Sequence, residues 1–151
     1  MADQERENTV LLVDDDRPIR EGLRRFFDGT SYRVAGEAAD GMAAVALCRK
    51  LRPDLVLLDV KMPLLNGIDA ARLIREERSA RCIVMLTSFD DQSCVEQALA
   101  AGAAGYLTKP LRVEDILPTL NELVNPYDQP LTEDDLDLPQ AEYYWNGTVI
   151  D

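Results

Sequence analysis

The sequence predicts an α/β protein, a doubly wound three-layer sandwich on a parallel five-stranded sheet. Three observations predict it. Short apolar, β-rich runs alternate with helical stripes five times along the chain. The runs at residues 10–13 and 55–58 show no polar alternation. They are therefore expected to be buried on both faces, as in a parallel sheet covered by helices. Right-handed crossovers then place helices on both sides of that sheet.

Each element has its own signals. Val10-Leu11-Leu12-Val13 is the first strand, stopping at Asp14-Asp15-Asp16. Ile19, Leu23, Phe26 and Phe27 follow at helical spacing, with Pro18 suited to the first turn and Gly29 to the end. Residues 32–38 read as the second strand. Asp40 caps a helix carrying Ala44, Leu47, Cys48 and Leu51 on one face, ended by Arg52-Pro53. Residues 55–58 form the third strand and stop at Asp59. A helix follows Gly67, with Ile68, Ala71 and Ile74 inward. Residues 82–86 are the fourth strand, ending in Thr87-Ser88. Asp91 opens a helix bearing Val95, Ala98 and Leu99, which Gly102 stops. Gly105-Tyr106-Leu107 is the fifth strand, ending in Thr108-Lys109-Pro110. The last helix carries Val113, Ile116, Leu117, Leu120 and Val124, tolerates Pro118 in its early turns, and stops at Asn125-Pro126. One domain over residues 8–125 and an acidic tail over residues 126–151 account for the chain.

Composition narrows the chemistry. There is no histidine, which removes Ser-His-Asp and Cys-His catalysis and His-ligated zinc. Cys48, Cys82 and Cys94 lack C-x-x-C spacing and read as buried thiols. No apolar stretch reaches the roughly 18–20 residues of a membrane span, and the polar N-terminus lacks a secretory signal, so a cytoplasmic location is expected. The net charge of −12 argues against nucleic-acid binding through a general basic field. No Lys or Arg follows Arg112, and residues 125–151 hold seven acids, so the tail carries more than half of that charge.

In a doubly wound sheet, ligands bind beyond the carboxyl ends of the strands. The strand ends here are Asp14-Asp15, Asp59, Thr87 and Lys109. Three carboxylates without His or Cys form a hard oxygen site suited to Mg²⁺. An ammonium and a hydroxyl can stabilise phosphoryl oxygens, and one carboxylate can be the nucleophile that forms an acyl phosphate. Asp59 is the best candidate, because it stands alone at the end of the central strand while Asp14 and Asp15 are paired. Asp16 reads as a solvated or helix-capping acid.

These stretches resemble the receiver domain of two-component response regulators. The matching segments are Leu11-Leu12-Val13-Asp14-Asp15-Asp16, Leu57-Leu58-Asp59-Val60-Lys61-Met62-Pro63, Asn66-Gly67, Val84-Met85-Leu86-Thr87-Ser88 and residues 101–110. The resemblance implies a flavodoxin-like strand order 2-1-3-4-5. It implies that Asp59 accepts phosphate from the phosphohistidine of a sensor histidine kinase. It assigns Mg²⁺ to Asp14, Asp15, Asp59 and the backbone carbonyl of Lys61, and phosphoryl contacts to Lys109 and Thr87. Thr87 and Tyr106 would form a switch acting on the surface of the fourth helix, fifth strand and fifth helix, where a homodimer could form. Pro110 is expected to follow Lys109 through a cis bond. Lys61, Ser88 and Phe89 are expected to tune access to Asp59; for Lys61 the alternative is an exposed, solvated side chain.

Asp59-Val60-Lys61-Met62-Pro63 with Gly67-Ile68-Asp69-Ala70-Ala71, and later Asp115-Ile116-Leu117-Pro118, most resemble the receivers of antitermination regulators that carry an RNA-binding ANTAR bundle, yet residues 126–151 contain no such bundle. Tyr143-Tyr144-Trp145, Asn146-Gly147 and Thr148-Val149-Ile150 read as a hairpin with an Asn-Gly turn. It weakly resembles the opening of an OmpR-type winged-helix domain, without a recognition helix; the alternative is an acidic appendage. Three functions compete: a phosphorylation switch acting by protein contact, the receiver portion of a DNA-binding transcription factor, and an aspartyl-phosphate phosphatase of the haloacid-dehalogenase type. The last wants a second carboxylate two residues after the nucleophile, where this chain has Lys61. The expected protein is thus a phosphoacceptor rather than an enzyme.

Overall fold

A computed structural model describes residues 8–88 and 94–128. Phe89, Asp91 and the hairpin read at residues 143–150 lie outside the described residues. Five strands alternate with five helices: β1 Asn8–Val13, α1 Arg17–Phe27, β2 Tyr32–Ala38, α2 Gly41–Leu51, β3 Leu55–Asp59, α3 Gly67–Glu77, β4 Cys82–Ser88, α4 Val95–Ala100, β5 Gly105–Lys109 and α5 Val113–Asp128. All pairings are parallel, in the order β2-β1-β3-β4-β5.

The two-residue period of a strand divides the apolar runs between two cores. Val10, Leu12, Leu55, Leu57, Val84 and Leu86 face α1 and α5, meeting Leu23, Phe27, Ile116 and Leu120. Leu11, Val13, Val56, Leu58, Ile83 and Met85 face α2, α3 and α4, meeting Ala44, Ile74 and Leu99. Residues 10–13 and 55–58 are completely buried, and a fully buried leucine or valine contributes about 1.5–3 kcal/mol. This is why those strands lack polar alternation.

Local signals set the helix ends. Asp40 Oδ1 accepts from the Ala43 N–H at 2.7 Å, and Asn66 Oδ1 accepts from the Asp69 N–H at 2.9 Å, each satisfying a first-turn donor. α2 and α3 end on Arg52 and Arg78, both in the left-handed region with φ of 47° and 53°. Among the described residues no helix is long and apolar enough to cross a membrane.

Some expectations need correction. α5 continues to Asp128, past the stop read at Asn125-Pro126. A proline removes one N–H donor but keeps φ helical, so a helix can pass through it. Val113 is 65% exposed rather than part of the inward stripe, and Leu123 is buried in α5 instead. Cys48 and Cys82 are buried, but Cys94 is only half-buried. None of the three is in a disulfide, and burial pushes Cys48 up to about 12, which suits an inert packing residue.

Candidate phosphoacceptor site

The chain leaves β1 for the edge strand β2 and returns on the other side to β3. The switch point of the sheet therefore lies between the carboxyl ends of β1 and β3. Val13 pairs with Leu58, so Asp14 and Asp59 extend side by side from neighbouring strands. Asp59 pairs with Leu86, Thr87 with Thr108, and Ser88 with Lys109. This register brings strand-end groups predicted from sequence to one end of the sheet.

Asp14 and Asp59 are buried, with only 1% and 7% of their surface exposed, while Asp15 is exposed. One carboxylate oxygen from each of Asp14, Asp15 and Asp59 lies within 4.8 Å of the other two. Lys109 reaches in from β5, its Nζ 2.7 Å from Asp14 Oδ2 and 3.4 Å from Asp59 Oδ1. Burial, and then the charge of Asp14, push the Asp59 carboxyl up to about 6, with Lys109 opposing the shift. Burial works against the Lys109 charge, but its contacts with Asp14 and Asp59 outweigh that and raise its pKa.

Three carboxylates face one ammonium, so the fully ionised cluster keeps an excess of two negative charges. The donors are all hard oxygens, and the cluster is partly buried. This set fits Mg²⁺, which binds through one or a few carboxylates and keeps several waters.

Other predicted residues take distinct places. Thr87 is buried, and its hydroxyl donates to the Ser88 carbonyl at 3.1 Å. Ser88 is half-buried beside Lys109 in the β4–β5 register. Tyr106 is half-buried against the α2–α4 core. Lys61 is exposed in the loop after β3. Asp16 is exposed at the α1 N-cap, and its side chain makes no capping bond. Instead its N–H donates to Asp14 Oδ1 at 2.9 Å. The Lys109–Pro110 bond is cis, as expected.

Two structural supports were missed from sequence. Gly67 opens α3 hard against the end of β3: a Cβ there would lie 1.9 Å from the Asp59 carbonyl oxygen. Its N–H donates to the Val60 carbonyl at 2.8 Å, closing the loop after Asp59. The Asn66-Gly67 pair was visible, but this contact spans the loop and has no local signature. Arg20 was also missed; its Nη1 donates to the Asp14 carbonyl at 2.6 Å.

The chain belongs to the response regulator receiver domain family, whose model matches residues 10–121. Receiver domains are signalling modules that interact with histidine kinases in two-component systems and bind Mg²⁺ at an acidic pocket. Among relatives, the transcriptional regulatory protein PdtaR of Mycobacterium tuberculosis is 43% identical over 116 residues, which are 77% of this chain and 56% of that protein. The chemotaxis protein CheY of Halobacterium salinarum is 35% identical over 115 residues, 76% of this chain and 95% of that one. The response regulator domain of Thermotoga maritima CheB superposes with a TM-score of 0.72 at 30% identity, covering 84% of this chain and all of that domain. The chain thus spans about half the length of the PdtaR relative but nearly all of the CheY relative.

Proposed function

We propose that this receiver accepts a phosphoryl group on Asp59 from the phosphohistidine of a sensor histidine kinase. The observation that carries this reading is the convergence of Asp14, Asp15, Asp59 and Lys109 at the sheet switch point. Asp59 attacks phosphorus, the phosphorus–nitrogen bond to the kinase imidazole breaks, and an aspartyl phosphate forms. Asp14, Asp15, Asp59 and the Lys61 carbonyl would hold Mg²⁺, which supplies charge neutralisation at the phosphoryl oxygens when bound. Lys109 then turns from Asp14 toward the new phosphoryl oxygens. Thr87 exchanges its bond to Ser88 for one to the same group, and Tyr106 follows into the space left. That rearrangement alters the face formed by α4, β5 and α5, the surface for partner contact or homodimerisation. Ser88 is small enough to leave Asp59 accessible; Lys61 and Phe89 limit attack by water.

The receiver works in the cytoplasm, turns over only its own phosphate, and makes no direct contact with nucleic acid or membrane. Incubation with acetyl phosphate tests the reading. With Mg²⁺ the wild type gains the mass of one phosphoryl group; with EDTA, or in Asp59→Ala, it gains none. An equal gain in the variant overturns it.

In a second reading the receiver serves a transcription regulator. The likeness to PdtaR, a transcriptional regulatory protein, favours it, together with the nearly half of that protein the match leaves out. Sequencing the gene beyond Asp151 decides: a following helical segment with a basic face supports it, and an immediate stop codon removes it.

A further inference from the structure

We propose that Arg20 is a positioning residue for the cation site, clamping the backbone of Asp14 to Glu37 so that the Asp14–Asp15 turn presents its carboxylates together. The proposal rests on the reading of Asp14, Asp15 and Asp59 as a Mg²⁺ site.

Every polar group of Asp14 is held. Its N–H donates to the Ala38 carbonyl at 3.1 Å. Its carbonyl accepts from Arg20 Nη1 at 2.6 Å. Oδ1 accepts from the Asp16 N–H at 2.9 Å, and Oδ2 faces Lys109 at 2.7 Å. Three of these four ties are local to the strand end or to the site. The carbonyl tie alone comes from a helix, the second turn of α1.

Arg20 is itself fixed. Its Nε donates to Glu37 Oε1 at 3.0 Å, while Arg24 Nε takes Glu37 Oε2 at 2.7 Å. The Arg20 side chain is only 15% exposed. Burial raises the Glu37 pKa, but the hydrogen bonds and charges of Arg24 and Arg20 outweigh it, so Glu37 sits below the usual carboxylate range and stays ionised.

A register slip puts Glu37 there. β2 pairs with β1 as Val10 with Val34, then Leu11 with Gly36, which leaves Ala35 as an extra residue. Tyr32 and Val34 pack on the α1–α5 side, yet Ala38 packs on the opposite side. An unbroken two-residue period would have put Ala38 with Tyr32 and turned Glu37 away from α1. The bulge inverts that and brings Glu37 under Arg20, re-aiming a side chain beside a site.

The competing role is a plain ion pair between α1 and β2, which would affect stability alone. A purely electrostatic role has the opposite sign. Arg20 is a cation near a cation site, so removing it would tighten Mn²⁺ or Mg²⁺ binding. Positioning predicts looser binding. Mn²⁺ binding to the full chain, followed by the free-ion electron paramagnetic resonance signal without any phosphodonor, separates them. Arg20→Met is expected to weaken Mn²⁺ about tenfold, as for other groups that orient metal ligands. Arg20→Met with Glu37→Gln, which leaves net charge unchanged, is expected to weaken it similarly. Arg20→Lys cannot serve carbonyl and carboxylate with one rigid fork, and is expected to lose at least about threefold, a part of the tenfold loss expected when the group is removed. Folding is checked by circular dichroism; the lysine variant carries the test if the methionine variant does not fold. Wild-type affinity, or tighter binding, in a folded Arg20 variant overturns the proposal. A wild type that binds no Mn²⁺, or binds it equally in Asp15→Asn, overturns the underlying cation site and the proposal with it.

Discussion

Lys109 stands closer to Asp14 than to Asp59, with its Nζ 2.7 Å from Asp14 Oδ2 and 3.4 Å from Asp59 Oδ1. The ammonium is thus committed mainly to the deepest carboxylate of the site, and its removal leaves two buried acids facing each other. Lys109→Met should destabilise the metal-free protein by about 3 kcal/mol at pH 7.5, within the range for breaking a buried pair. Urea denaturation in EDTA measures this. The loss should shrink at pH 5, where Asp59 takes up a proton. An unchanged midpoint at both pH values would contradict the buried-pair description.

Asp59→Asn should stabilise the metal-free protein at neutral pH. The Asp59 carboxyl is raised from 3.8 to about 6 in the fold. Between those values the folded state binds more protons than the unfolded chain, so stability falls as pH rises through that window and stays low above it. Asparagine removes that cost. The gain should be at most about 3 kcal/mol above pH 6, at 1.36 kcal/mol per unit, and should vanish below pH 4. Denaturation midpoints across pH 4–8 check the sign as well as the size.

Gly67→Ala should be damaging out of proportion to one methyl group. Its Cβ would meet the Asp59 carbonyl oxygen and carbon at 1.9 and 2.8 Å, both backbone atoms that cannot swing aside. The expected cost is about 1–3 kcal/mol, as for other overpacked sites, with slower phosphorylation at saturating Mg²⁺. By contrast, a Cβ at Gly22 meets nothing within 4 Å. Gly22→Ala should fold and phosphorylate like the wild type, or slightly more stably because it lies inside α1.

Lys61→Asn should shorten the life of the phosphorylated state. Lys61 is exposed two residues beyond Asp59, on the loop that closes through the Gly67–Val60 hydrogen bond. Its long cationic side chain can crowd the path of an attacking water. Loss of the phosphorylated mass with time, after acetyl phosphate is removed, measures this. An equal or longer half-life in the variant would show that Lys61 is a solvated side chain without this role.

Much of the fold and site was legible because burial on both faces leaves strands apolar, and the polar residues that end them stand out. Asp14, Asp59, Thr87 and Lys109 were visible for that reason, and their placement at one end of the sheet follows from parallel pairing. What was not legible depends on contacts between elements. The β2 bulge at Ala35 changes which face Glu37 takes; Gly36 beside it is the one residue of Tyr-Arg-Val-Ala-Gly-Glu-Ala that could have marked it, and it does not say which way the following side chains turn. Arg20 gives no local signal, being one more polar residue of an amphipathic helix. Leu64, with a φ of 70° and 81% exposure, adopts a conformation its sequence gives no reason to expect. Pro126 reads as a stop, but α5 passes through it to Asp128.

In the proposed function Asp59, and neither of the two aspartates clustered with it, carries the phosphate. Borohydride reduction of the acetyl-phosphate-treated protein converts an aspartyl phosphate into homoserine, and peptide mass mapping locates it. The predicted result is homoserine at position 59 alone, dependent on Mg²⁺. Homoserine at position 14 or 15, or its appearance at position 59 without phosphodonor, would contradict the assignment.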